Sequence, residues 1–244
     1  MKKQIPNILT SANLFCGVLA IVFVVLGEIR AVMLLVGLSL MFDFLDGMVA
    51  RLLKVHSPLG KELDSLADMV SFGVLPGFIM ARLIRQAQGF DMLPEAGYSL
   101  FDEPPTFLIA FLIPVFSALR LAKFNLDERQ GDSFYGLPTP ANTLWVLSFW
   151  LMTYFYPKDW LGQLLQQDWL LMGLSIVCSF LLVLEMRLIA LKFKSWSWEG
   201  NRFRYLLIIL SLLLLAFFQL RALPFTILVY ILLSAVQNLL DNRS

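Results

Sequence analysis

The chain has 244 residues, 59% of them hydrophobic and 14% aromatic, with only 15% charged, a formal charge of +1 and a mean hydropathy of +0.75. A soluble domain carries about a quarter charged residues, so a water-soluble globule is excluded. Without period-2 alternation a β-barrel is excluded too, which leaves an all-α, polytopic membrane helix bundle.

In chain order, Lys2, Lys3 and Pro6 within residues 1–10 predict a short N-terminal segment lying along the membrane interface. No basic region with a small-residue cleavage site follows, so the first apolar run is expected to stay as a span. Apolar stretches set against their polar breaks predict eight transmembrane helices, near 11–27, 31–53, 59–85, 105–125, 139–157, 168–192, 203–220 and 222–241. The polar stretch 85–105 reads as an extracytoplasmic loop, and Arg221 with Pro224 marks a tight turn between the last two spans. Cys16 and Cys178 fall in separate apolar runs and read as small buried hydrophobes, and His56 stands alone in a short connection. One histidine and no cysteine cluster exclude a zinc site and a Ser-His-Asp triad.

An even number of spans puts both termini on one face. That face would carry most of the Lys and Arg residues, and the opposite face only Arg30, Arg82, Arg85, Lys158 and Arg221. The positive-inside rule then makes the terminal face cytoplasmic, in a multi-pass protein of the cell's inner membrane. No soluble domain, internal repeat or low-complexity tract is present. The partner implied by composition is the lipid bilayer, with nothing directed at nucleic acid.

Four acids stand out against this background. Asp43 and Asp46 are three apart in one apolar helix, and Asp64 and Asp68 are four apart in the next, so each pair shares a helix face. The link through His56, Ser57 and Pro58 is short, which makes the two helices antiparallel neighbours with both pairs at the same cytoplasmic end. An ionised carboxylate in hydrocarbon costs roughly 2.5–3.5 kcal/mol on insertion scales, so four of them need compensation. Two divalent cations would neutralise them, and carboxylate oxygens favour magnesium, manganese or calcium. Gly47, Ala50 and Gly60 remove side chains where a nucleotide or sugar would approach backbone, and Arg51 offers a fork suited to phosphate. Together these point to transfer at phosphorus. Small-residue helix packing at the glycines, an Asp–Arg structural pair and a proton-coupled transporter using the acids as a relay are the competing readings.

The run Asp43-x-x-Asp46-Gly47-x-x-Ala50-Arg51, then Gly60, Asp64 and Asp68, resembles the signature of the CDP-alcohol phosphatidyltransferase family at every fixed position and every gap. The resemblance implies a homodimeric helical enzyme with a six-span catalytic core, a cleft open to the cytoplasm and two divalent cations, Mg2+ or Mn2+. It implies that Asp43, Asp46, Asp64 and Asp68 ligate metal, with Asp68 also the general base. Gly47, Ala50, Arg51, Gly60 and Asp64 would hold the CDP group. On this reading 1–192 is the catalytic core and 193–244 an appended helix pair.

Further stretches are similar to the serine-accepting branch of that family. They are Ile5–Thr10 with Asn13–Gly17, Gly60–Asp68 with Val70–Gly73, Leu119–Asn125, and Phe134–Pro140. The implied reaction moves the phosphatidyl group of CDP-diacylglycerol to L-serine and releases CMP. Serine's carboxylate needs a cation, for which Arg120 and Lys54 are candidates, with Asn125 a hydrogen-bonding partner; Lys123 and Arg129 stand at the same end. Glycerol 3-phosphate, inositol phosphate or choline are the alternative acceptors.

Overall fold

A computed structural model describes residues 4–55, 57–93, 105–126, 134–189 and 197–241. Lys2 and Lys3, His56, much of the polar loop before Pro105, Arg129 and the start of the last helix pair at 193–196 lie outside these residues. Helix α1 spans Gln4–Leu26 and α2 Ile29–Leu52; α3, Pro58–Asp68, runs through a π-helical stretch, Met69–Val74, into α4, Leu75–Ala87. A 3-10 segment, Pro105–Phe111, leads into α5, Leu112–Leu126, followed by α6, Thr139–Phe155, the short α7, Trp160–Leu164, and α8, Asp168–Val183. The last pair is α9, Trp198–Phe218, and α10, Leu223–Asp241, joined by a 3-10 turn at Gln219–Ala222.

The chain is a multi-pass membrane helix bundle. Five stretches are long and apolar enough to cross a membrane: Gln4–Leu26, Ile29–Leu52, Pro58–Ala87, Pro105–Leu126 and the 40-residue Asn201–Leu240. That last stretch is split by the turn at Gln219, whose φ of 52° breaks the helix, and α9 folds back on α10. Helices α6 and α8, at 17 and 16 residues, are shorter. With them and the split, a helix stands at each predicted span, but the sixth, predicted over 168–192, ends at Val183 and gives way to a strand at Arg187–Leu188.

The N-terminus differs from expectation. Helix α1 begins at Gln4 and absorbs the segment predicted to lie apart from the first span. Pro6 is tolerated because it falls in the first turn, where a missing N–H leaves no helical bond unmade. The seam of α1 recurs every three or four residues as Thr10, Asn13, Gly17, Ala20 and Val24, all buried. It packs on Ile29, Val32, Val36, Ser39 and Asp46 of α2. One end of this seam is apolar and the other polar, and the polar end is where the acids lie.

The π-helical stretch directly follows Asp68. Its wider turn rotates the residues after it relative to an unbroken α-helix, a feature frequent at functional sites. Close contacts on either side hold it. A side chain at Gly17 would run into Ser71, and one at Gly77 would sit 2.7 Å from Pro114 of α5. The core gathers Leu75, Ile79, Ile84, Ile113, Trp145, Trp150, Leu171 and Leu182 between α4, α5, α6 and α8. Many leucines and phenylalanines outside it, such as Phe15, Leu34, Phe180 and Leu213, are exposed, as a lipid-facing surface requires. Cys16 and Cys178 are buried and free. The one ladder among the described residues pairs Phe134–Tyr135 (β1) antiparallel with Arg187–Leu188 (β2).

Candidate active site

Helix α3 starts where the sequence gives it a stop and a cap. Ser57 Oγ accepts from Gly60 N at 3.2 Å, and Pro58 occupies the first turn. The preceding helix ends at Leu52, with Lys54 in the left-handed region at φ 51° and Val55 N donating to Ala50 O. This tight reversal brings the carboxylates together. Asp43, Asp64 and Asp68 each offer an oxygen, and these oxygens lie within 4.8 Å of one another.

Asp46 sits one turn further along α2 and is only 6% exposed. Thr10 Oγ1 of α1 donates to its Oδ2 at 2.5 Å. Asn13, fully buried, donates through Nδ2 to Asp68 Oδ1 at 3.4 Å, while its Oδ1 accepts from Ser39 Oγ. The Ser39 hydroxyl therefore fixes which way the amide points and leaves its N–H2 for Asp68. Ser71 Oγ donates to Asn13 O at 3.1 Å and ties the π-helical stretch to the same spot. Thr10, Asn13, Ser39 and Ser71 were not singled out as functional from the sequence. The signal was present at Thr10 and Asn13, two polar residues three apart on one face of an apolar helix.

A cleft of about 500 Å³ opens beside the acids, lined by Pro6, Asn7, Thr10, Asp46, Gly47, Ala50, Val55, Ser57, Pro58, Gly60, Lys61 and Asp64. Gly47, Ala50 and Gly60 are thus brought together in the wall of one cleft. A Cβ built on Gly47 would meet nothing within 4 Å. Its smallness is not consumed by helix packing, unlike that of Gly17 or Gly77, and it leaves the cleft open. Arg51 and Lys54 are exposed and lie outside this lining.

The predicted acceptor residues divide. Arg120 of α5 is 8% exposed, interacts electrostatically with Asp68 and stacks over Phe124 at 5.9 Å; its Nε is buried without a hydrogen-bond partner. Asn125 instead braces helices: its Nδ2 donates to Ser65 Oγ at 2.8 Å, and its carbonyl accepts from Lys61 Nζ at 3.2 Å.

The donor set decides what fits between the aspartates. It is all carboxylate oxygen, with Asp43, Asp64 and Asp68 in reach of a common point and Asp46 outside that group, and among the described residues no Lys or Arg forms an ion pair with any of the four. Clustered, half-buried negative charge of this kind suits a hard divalent cation bound through oxygen.

This helical membrane fold and acidic site belong to a known class. The family model of CDP-alcohol phosphatidyltransferase matches residues 3–181, and the chain belongs to that family. It is 35% identical over 149 residues to a CDP-diacylglycerol--serine O-phosphatidyltransferase of Bacillus subtilis, covering 60% of this chain and 76% of the relative. A Helicobacter pylori protein of the same name is 32% identical over 211 residues, covering 85% of this chain and 80% of the relative. An archaetidylserine synthase of Methanothermobacter thermautotrophicus is 34% identical over 157 residues, covering 63% of this chain and 60% of the relative.

Proposed function

We propose that the protein transfers the phosphatidyl group of CDP-diacylglycerol to L-serine, giving phosphatidylserine and CMP. The observation that carries this reading is the convergence of Asp43, Asp64 and Asp68 beside a cleft kept open at Gly47. The names of its relatives, which specify serine as acceptor, supply the substrate.

Asp43, Asp46, Asp64 and Asp68 would hold two divalent cations, Mg2+ or Mn2+. When bound, such ions neutralise the pyrophosphate and the charge that develops on it in the transition state. The CDP group lies along Gly47, Ala50 and Gly60, where backbone can approach it, with Arg51 reaching from the rim. Asp68 takes the proton of the serine hydroxyl as its oxygen forms a bond to the β-phosphorus. The bond from that phosphorus to the CMP oxygen breaks, and CMP leaves with the electron pair. Asn13 holds the Asp68 carboxylate in the orientation this proton transfer needs. Arg120, buried and short of a partner on Asp68's side of the bundle, receives the serine carboxylate.

The site and both termini face the cytoplasm, where serine and CMP are soluble, and the enzyme works as a homodimer in the inner membrane. The test is CMP release from CDP-diacylglycerol by the purified chain in detergent micelles. Release is expected only with Mg2+ or Mn2+ and only with serine. Equal release with glycerol 3-phosphate in place of serine would overturn the acceptor, and no metal-dependent release with any alcohol would overturn the chemistry.

A further inference from the structure

The family model ends at residue 181, and the sequence reads the last two helices as an appendage. Their packing argues otherwise for one of them. Leu223, Ile227, Tyr230 and Ile231 of α10 pack against the central core, and α10 lies on α6 and on β2. Helix α9 touches mainly its own partner α10.

A polar stripe runs down α10 at every fourth position: Tyr230, Ser234 and Asn238. Each member bonds the backbone of the strand beside it. Tyr230 Oη donates to Ile189 O at 3.3 Å, Ser234 Oγ accepts from Ile189 N at 3.2 Å, and Asn238 Nδ2 donates to Arg187 O at 2.6 Å. Ser234 is fully buried.

That strand is itself a hub. It pairs with Phe134–Tyr135, while Gly136 N donates to Met186 O at 3.1 Å and Leu137 N to Leu181 O at 2.8 Å. Just before it, Glu185 lies 3.9 Å from Lys123 at the end of α5. The same stretch therefore joins α5, the lead into α6, and α10 at the end of α5 that carries Arg120 and Lys123. Tyr230 and Asp68 both lie near enough to Arg120 to interact with it electrostatically, while Tyr230 Oη is held on Ile189 O. The Arg120 Nε is buried and left without an acceptor.

We propose that α10 forms the acceptor-side wall of the site, and that Tyr230 is a positioning residue that sets Arg120 for the acceptor's carboxylate while holding the 187–189 strand. The C-terminal pair is then a working part of the enzyme, with α10 as the contributing helix. This rests on the serine-transfer reading above, and the two fail in different ways.

The experiment measures CMP release by the full chain in micelles, varying serine and CDP-diacylglycerol in turn, for wild type, Tyr230→Phe and Ser234→Ala. Loss of one hydrogen bond corresponds to a change of about three- to tenfold. The KM for serine is expected to rise by about that factor in Tyr230→Phe, with the KM for CDP-diacylglycerol unchanged. An unchanged serine KM, or equal rises in both, overturns the inference, because a structural role would not separate the substrates. Should Tyr230→Phe not fold, Ser234→Ala is read by the same split. Wild-type release that ignores serine defeats the serine reading, and the inference with it.

Discussion

An alanine at position 47 would lose nothing in packing, because its Cβ would meet open space, and it would gain helix propensity of about 1 kcal/mol over glycine. Gly47→Ala is therefore expected to raise thermal stability slightly while raising the KM for CDP-diacylglycerol. A thermal melt in detergent paired with steady-state kinetics checks both. If affinity is unchanged, the cleft beside Gly47 is not where the nucleotide lies. At Asp68 the expectation is different in kind. Asp68→Asn keeps the shape and the contact with Asn13 but removes the base, so turnover should fall by roughly 10²–10⁴-fold with little change in stability. Near-normal CMP release from that variant would show the base to be elsewhere. Asn13→Leu leaves Asp68 charged but unheld, and a smaller fall in kcat than for Asp68→Asn is expected.

At the level of elements, the junction from α3 through the π-helical stretch into α4 is the part with most at stake. Asp64 and Asp68 lie on the α-helical side, and Ser71 and Gly73 on the wide turn beyond. Deleting Val70 would let the segment close to regular α geometry and remove the wide turn that presents Ser71 to Asn13. Helix content by circular dichroism should persist, while metal-dependent CMP release disappears. Retained activity would mean the wide turn is incidental.

The same scale shows what was legible in the residues. The carboxylate pairs were readable because three- and four-residue spacings fix a face, and the Ser57-Pro58 cap announces where α3 begins. The start of α1 was misplaced because Pro6 reads as a breaker, although in a first turn it costs no hydrogen bond. The π-helical stretch leaves no pattern in residue order; it follows from contacts of Gly17 with Ser71 and of Gly73 with α5. The β1–β2 pair and the α10 stripe join residues about fifty positions apart, which no local periodicity reveals.

Across the whole molecule, the bundle divides its polar work by position. Thr10, Asn13, Ser39 and Asp46 are buried, with Asp43, Asp64 and Asp68 half-buried, at one end of the α1–α2–α3 packing, while Ala20, Val24, Ile29 and Val32 fill the other. Buried polar groups in a membrane protein are costly unless satisfied, and here they satisfy one another and the acids. An asymmetric bundle of this sort has a reactive end and an inert one.

The central claim is that the acidic side chains at the reactive end bind divalent cations. It is tested most directly by Mn2+ titration of the metal-stripped chain in detergent, followed by electron paramagnetic resonance. The account predicts two bound ions per chain, lost when Asp64 and Asp68 are both changed to Asn. Binding that is absent in the unaltered chain, or that survives the double substitution, would contradict it.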